Sequence, residues 1–171
     1  MADKSLRLGI CAGEMSGDIL GAAVLRALSA QGYDLQVDGI GGEQMMAAGL
    51  NTSVSMTPVL VPMSRGILAT CSAPLAGDYD VDQVHSVVMD AYASEPFIRV
   101  YDQGSFPATG DVLGSNTLAL GVSVDAAVNR VIVVAALDNL VKGTAGAALQ
   151  SLNLALGLEE SSGLTTDGIA P

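Results

Sequence analysis

The sequence predicts an α/β chain in two unlike parts, a short parallel βαβ fragment over residues 1–51 and a mostly antiparallel α+β lobe over 52–171. Three observations carry that expectation. An apolar run ends in a glycine-bearing loop and passes into apolar residues at helical spacing, the pattern of a strand, a loop and a crossover helix. After Asn51 the texture changes to β-like runs punctuated by proline and glycine. Later, the apolar runs "TLALGVSVD" and "RVIVVAAL" are separated by a turn near Ala126–Asn129, and so short a connection favours antiparallel neighbours.

The elements follow in order. "LRLGICAG", Leu6 to Gly13, reads as the first strand, and Ile19, Leu20, Val24, Leu25 and Leu28 mark the helix after it. Ser16 and Asp18 suit its N-cap, and Gly32 suits the left-handed position past its end. "LQVDGIGG" reads as a second strand and "EQMMAAG" as a short helix stopped by Gly49. Beyond the junction, "SVSMTPVLVP" is β-like with prolines at edges or bends, and "GILATCSAPL" is a strand. "DVDQVHSVVMDAYAS" places Val84, Val87, Val88 and Tyr92 on one helical face, and "PFIRVYD" is a strand. A connection rich in glycine, serine and proline leads to the paired runs already described. "DNLVKGTAGAALQSLNLALGL" closes the lobe as a helix preceded by Asp138 and ended near Gly157.

Composition sets limits on function. Half of the 171 residues are hydrophobic and 15% are charged, which excludes a disordered chain and supports a packed core. Only 4% are aromatic, so the core is expected to rely on many small contacts between Ala, Val and Leu. A net charge of -11 has the wrong sign for a nucleic-acid partner. No apolar run approaches the roughly 18–20 residues a membrane span needs, and Glu14 and Asp18 interrupt the start before a secretory core develops, so a cytoplasmic protein is expected. Cys11 and Cys71 form no metal-ligand spacing, and no metal is expected.

Few residues are candidates for chemistry. The loop "AGEMSGD" joins a strand to a helix start, where unpaired amides and the helix dipole favour an anion, but it is neither GxGxxG nor a P-loop; an ordinary tight connection explains it equally. Arg65, beside Gly66, has a guanidinium able to grip a carboxylate or phosphate, or to form a structural ion pair. Cys71 reads as a buried small side chain in mid-strand, Cys11 stands near the acidic Glu14, and His85 reads as part of a solvated helix face. No catalytic residue is assigned.

Two resemblances sharpen this reading. "LGICAGEMSGDILGAAVLRAL" followed by "VDGIGGEQMMAAG" resembles the amino-terminal end of the lipid-A-disaccharide synthase family, over Leu6 to Gly49. That resemblance implies a first lobe of a glycosyltransferase, with Glu14, Ser16, Gly17 and Asp18 near the acceptor substrate. "SVSMTPVLVPMSRGILATCSA", "SEPFIRVYDQGSFPATGDVLGSN" and "ALDNLVKGTAGAALQSLNLALGLEESSGL" together resemble the carboxy-terminal domain of the N-acetyl-gamma-glutamyl-phosphate reductase family, over Ser53 to Pro171. This second resemblance implies the α+β lobe of the semialdehyde-dehydrogenase type, an NADP-dependent reductase of arginine biosynthesis, and a homo-oligomer. It places Arg65 toward substrate and Asn139, Lys142 and Gly143 toward NADP. The family's Gly-Cys-Tyr-Pro-Thr segment, its histidine segment HxxPEI and its complete Rossmann domain are absent, so an inactive chimera is expected. The alternatives are a non-enzymatic scaffold or binding chimera and a truncated glycosyltransferase fragment.

Overall fold

A computed structural model describes residues 5–11, 15–50 and 57–169. The chain divides into two compact units, Met1–Leu60 and Val61–Pro171. The glutamate at position 14 and most of "SVSMTP" lie outside the described residues; the part of "SVSMTPVLVP" that is described, from residue 57, is not strand.

In the first unit, β1 (Ser5–Cys11) pairs in parallel with β2 (Asp34–Ile40), and α1 (Met15–Ala30) connects them. Gly32, at φ 81°, takes the left-handed position that lets the chain leave α1, as its place in the sequence predicts. The short helix α2 (Glu43–Ala47) follows β2. Ala22 and Leu25 from α1, Val37 from β2, Met45 from α2 and Leu50 form the buried cluster, with Leu8, Ile10, Leu35 and Ala48 packed against it. A Cβ at Gly21 would lie 2.6 Å from Met45 Sδ, so glycine is what allows α1 to approach α2 this closely.

The second unit is a four-stranded sheet in the order β3-β6-β5-β4. β3 (Ile67–Pro74) and β6 (Arg130–Leu137) are antiparallel along their full length, as are β6 and β5 (Leu118–Asp125). Asn129 turns the β5–β6 hairpin with φ 50°, a conformation asparagine tolerates well. β4 (Ile98–Val100) adds the one parallel pairing, to β5. The lobe is thus mostly antiparallel, in agreement with the sequence. α3 (Val81–Tyr92) lies against β5 and β4 and opens with a capping box, in which Asp80 accepts from Gln83 N while the Gln83 side chain accepts from Asp80 N. The segment before β5 crosses the sheet over Gly121, where a Cβ would lie 2.7 Å from Ser105 O and 2.8 Å from Phe106 Cδ1.

Three expectations fail here for a shared reason. Cys71 is exposed rather than buried, because its strand lies at the sheet edge, and seven of the eight β3 residues are exposed. His85 is half-buried and its Nε2 donates to Tyr101 O at 2.8 Å, so it ties α3 to the end of β4 rather than facing solvent. Val87 is 67% exposed although it falls on the apolar stripe of α3. Periodicity specifies a face but not what comes to cover it.

Candidate functional site

The most concentrated polar structure in the second unit is built where β6 ends and the last helix begins. Asp138 follows β6 directly and is completely buried. Its Oδ1 accepts from Leu140 N at 2.8 Å and Val141 N at 3.0 Å, which satisfies amides at the start of the helical segment. Its Oδ2 accepts from Gly114 N at 2.6 Å and pairs with Arg65 Nη2 at 2.6 Å. Burial raises the Asp138 pKa, but the Arg65 guanidinium and the Gly114, Val141 and Leu140 amides outweigh it and hold the carboxyl at about 2. A carboxylate so fully used is an anchor rather than a proton acceptor.

Asn139 continues the construction. Its Oδ1 accepts from Gly66 N at 2.7 Å, fastening the turn before β3, where Gly66 has φ 116°. Next comes a π-helical turn, Val141–Ala145, in which Gly143 N donates to Asp138 O and Ala145 N to Leu140 O. α4 (Gly146–Ala155) then runs on, and Gly157 closes it at φ 67°. The turn brings Gly146 against Asn116, whose Oδ1 would overlap any Cβ placed there.

Lys142, on the π turn, donates to Gln150 Oε1 at 3.0 Å and sits 5.5 Å from the Phe97 ring centroid. Burial lowers its pKa, and the charges of Glu160 and Glu95 offset part of that fall. Gln150 is the junction of this seam. Its Oε1 also accepts from Asn116 Nδ2 at 3.0 Å, and its Nε2 donates to Glu160 Oε1 at 2.6 Å.

Arg65, Asn139, Lys142 and Gly143, all picked out by sequence, are therefore brought together around the segment that starts at Asp138. Asp138 was read only as the residue before a helix, and the roles of Asn116 and Gln150 were missed. The signal for Asp138 was available in its place between a strand and a helix start. Nothing local marks Asn116 or Gln150.

The first-unit candidates have a different setting. Asp18 lies within the first turn of α1 instead of capping it, because the helix starts at Met15. Its Oδ1 accepts from Gly42 N and Met45 N, both at 2.9 Å, and Oδ2 accepts from Gln44 N at 3.0 Å. The carboxylate so caps α2, which has no side-chain cap of its own. Burial raises the Asp18 pKa, but those three amides and Arg26 bring it below the usual carboxylate value. Gly17 is half-buried beside it on α1, Ser16 lies in the same helix turn, and Glu14 is outside the described residues. Among the described residues, no group of three or more His, Cys, Asp or Glu is placed to hold a metal, and no helix is long and apolar enough to cross a membrane.

Comparison with known proteins separates the two parts. Residues 8–62 match a family model described as lipid-A-disaccharide synthetase, a third of the chain. The chain is 54% identical over 125 residues to the N-acetyl-gamma-glutamyl-phosphate reductase of Saccharopolyspora erythraea, covering 73% of this chain and 36% of that protein. With the reductase of the same name from Leifsonia xyli subsp. xyli it is 47% identical over 157 residues, covering 92% and 45%. With that from Acidothermus cellulolyticus it is 41% identical over 170 residues, covering 99% and 48%. The last two alignments carry the reductase likeness into the first unit, ahead of Ser53. The chain spans less than half the length of these curated relatives. A solved aspartate semialdehyde dehydrogenase II from Vibrio cholerae is similar at 16% identity and a TM-score of 0.47, over 88% of this chain and 55% of that one. Residues 40–139, more than half of the chain, match the family model described as semialdehyde dehydrogenase, dimerisation domain, and the chain belongs to that family.

Proposed function

We propose that this chain is the oligomerisation lobe of an N-acetyl-gamma-glutamyl-phosphate reductase, lacking reductase turnover and joined to a segment of glycosyltransferase origin. The match of residues 40–139 to a dimerisation domain carries the reading, together with a chain less than half as long as its reductase relatives. The chemistry of the polar seam supports it. Arg65, the cation best suited to an acyl phosphate, is paired with buried Asp138. Cys71 stands on an exposed edge strand, while His85 is engaged by Tyr101 O.

NADP, implied by the reductase resemblance, is the cofactor to test. The Asn139 amide and the Lys142 ammonium suit the amide end of such a dinucleotide. Among the described residues of this unit they are not accompanied by a cradle for its phosphates, so the fit is partial. Assay of the chain with NADPH and N-acetyl-gamma-glutamyl phosphate is expected to show NADPH oxidation at background. Turnover that disappears in Cys11→Ser or Cys71→Ser would overturn the inactive reading.

The chain is expected to form a homo-oligomer, and sedimentation showing a monomer at every concentration would remove that part of the proposal. A second reading, a truncated glycosyltransferase fragment, rests on the match of residues 8–62. Calorimetry with a UDP-sugar distinguishes it, since measurable heat would favour the fragment and none is expected.

A further inference from the structure

The two edges of the four-stranded sheet are built differently. β4 is three residues long and carries Arg99, the short and charged form by which an edge discourages pairing. β3 is eight residues long, "ILATCSAP", with no charged residue, and no bulge interrupts its register with β6. It pairs with β6 alone among the described strands, and its outer side is a row of unpaired backbone groups. Ile67 and Leu68 are 45% and 54% exposed, on opposite faces of the strand.

Charge narrows the choice of occupant. Two copies of a chain with net charge -11 repel one another over most of their surfaces. β3 carries no acid, and the charged side chain bonded to it is Arg130, which donates from Nε to Ser72 Oγ at 2.8 Å and from Nη2 to Ser72 O at 3.1 Å. The strand also lies within residues 40–139, the part matched by a dimerisation domain. We infer that β3 is the interface with a second copy of this chain, pairing antiparallel with the partner's β3 about a two-fold axis normal to the sheet and within one residue of Cys71. An axis in that direction keeps each sheet face continuous across the junction, so a residue must lie opposite itself at the centre.

The inference rests on the homo-oligomer reading above and specifies its surface. Directly opposed residues in antiparallel strands have Cα atoms about 4.5–5.5 Å apart, and diagonal neighbours about 7–8 Å apart. In a Cys11→Ser background, a bismaleimide of about 10 Å reach is therefore expected to link Cys71 to Cys71 of the partner subunit. Thr70→Glu brings like charges together near the axis and is expected to weaken the dimer about tenfold or more by sedimentation equilibrium. Val87→Glu, at an exposed position on α3, adds the same charge away from the edge and is expected to leave the dimer unchanged. Circular dichroism melts of each variant separate lost pairing from lost folding. Should Thr70→Glu unfold the chain, the cross-link decides. A wild-type monomer would overturn the oligomer reading and this inference together. A dimer that is neither cross-linked at Cys71 nor weakened by Thr70→Glu would overturn the inference and leave the oligomer reading standing.

Discussion

Asp18 in the first unit and Asp138 in the second are both buried carboxylates that gather backbone amides, yet they stabilise different kinds of interior. Asp18 caps one short helix beside an apolar cluster that includes Leu25 and Met45, both fully buried. Asp138 takes a guanidinium as well and stands among buried Ser115, Asn116, Thr117 and Asn153. In the second unit the apolar cluster of Val112, Ala119 and Ala136 consists of small side chains. An interior of small apolar groups leaves more of the specification to hydrogen bonds, and those are costly when half-made. The second unit is therefore the one in which polar substitutions should matter most.

The sharpest way to break the contrast is Asp138→Ala. It removes the partner of Arg65 and leaves three amides unsatisfied, and the second unit is expected to lose about 3–5 kcal/mol in urea denaturation. Met45→Ala is the matching test in the first unit, where a cavity should cost about 2–5 kcal/mol without change in the second unit's transition. Amide signals assigned to each unit would distinguish the two outcomes. Gln150→Leu should cost the second unit less, about 1–3 kcal/mol, because it leaves Asn116 Nδ2 and Lys142 without their acceptor.

Acid gives a graded version of the same comparison. The Asp138 carboxyl is depressed from 3.8 to about 2, so its contribution is fully present above pH about 4 and is lost as pH falls toward 2. The melting temperature of wild type should fall across that window, while Asp138→Asn, already weaker, should show a shallower fall. Asp18 is shifted in the same direction, and Asp18→Asn should flatten the acid response of the first unit. An equal acid response in wild type and Asp138→Asn would show that the Arg65 pair does not set the second unit's acid limit.

Local chemistry was legible in the sequence, and long-range chemistry was not. Gly32 and Gly157 mark helix ends because their conformations depend on the chain nearby. The turn at Ala126–Asn129 sets the β5–β6 hairpin for the same reason. Cys71 was misjudged because an uncharged apolar run reads alike at a sheet centre and a sheet edge, and strand order depends on residues far away. The same limit hid the partner of Arg65, since a guanidinium beside a glycine turn can serve a ligand or a buried aspartate 73 positions later. The π turn was hidden as well, because its glycines are equally at home in an ordinary helix start.

The segment after α4 has a consequence for the order of events during synthesis. Asn116 N donates to Thr165 O, Thr117 Oγ1 to Thr166 O, and Ile169 N to Leu113 O. Asn153 Nδ2 donates to Glu160 O and Ser162 O. A ribosome must deliver this strap before those groups can be closed off from water, so the second unit should become resistant to protease only once residue 169 has left the exit tunnel.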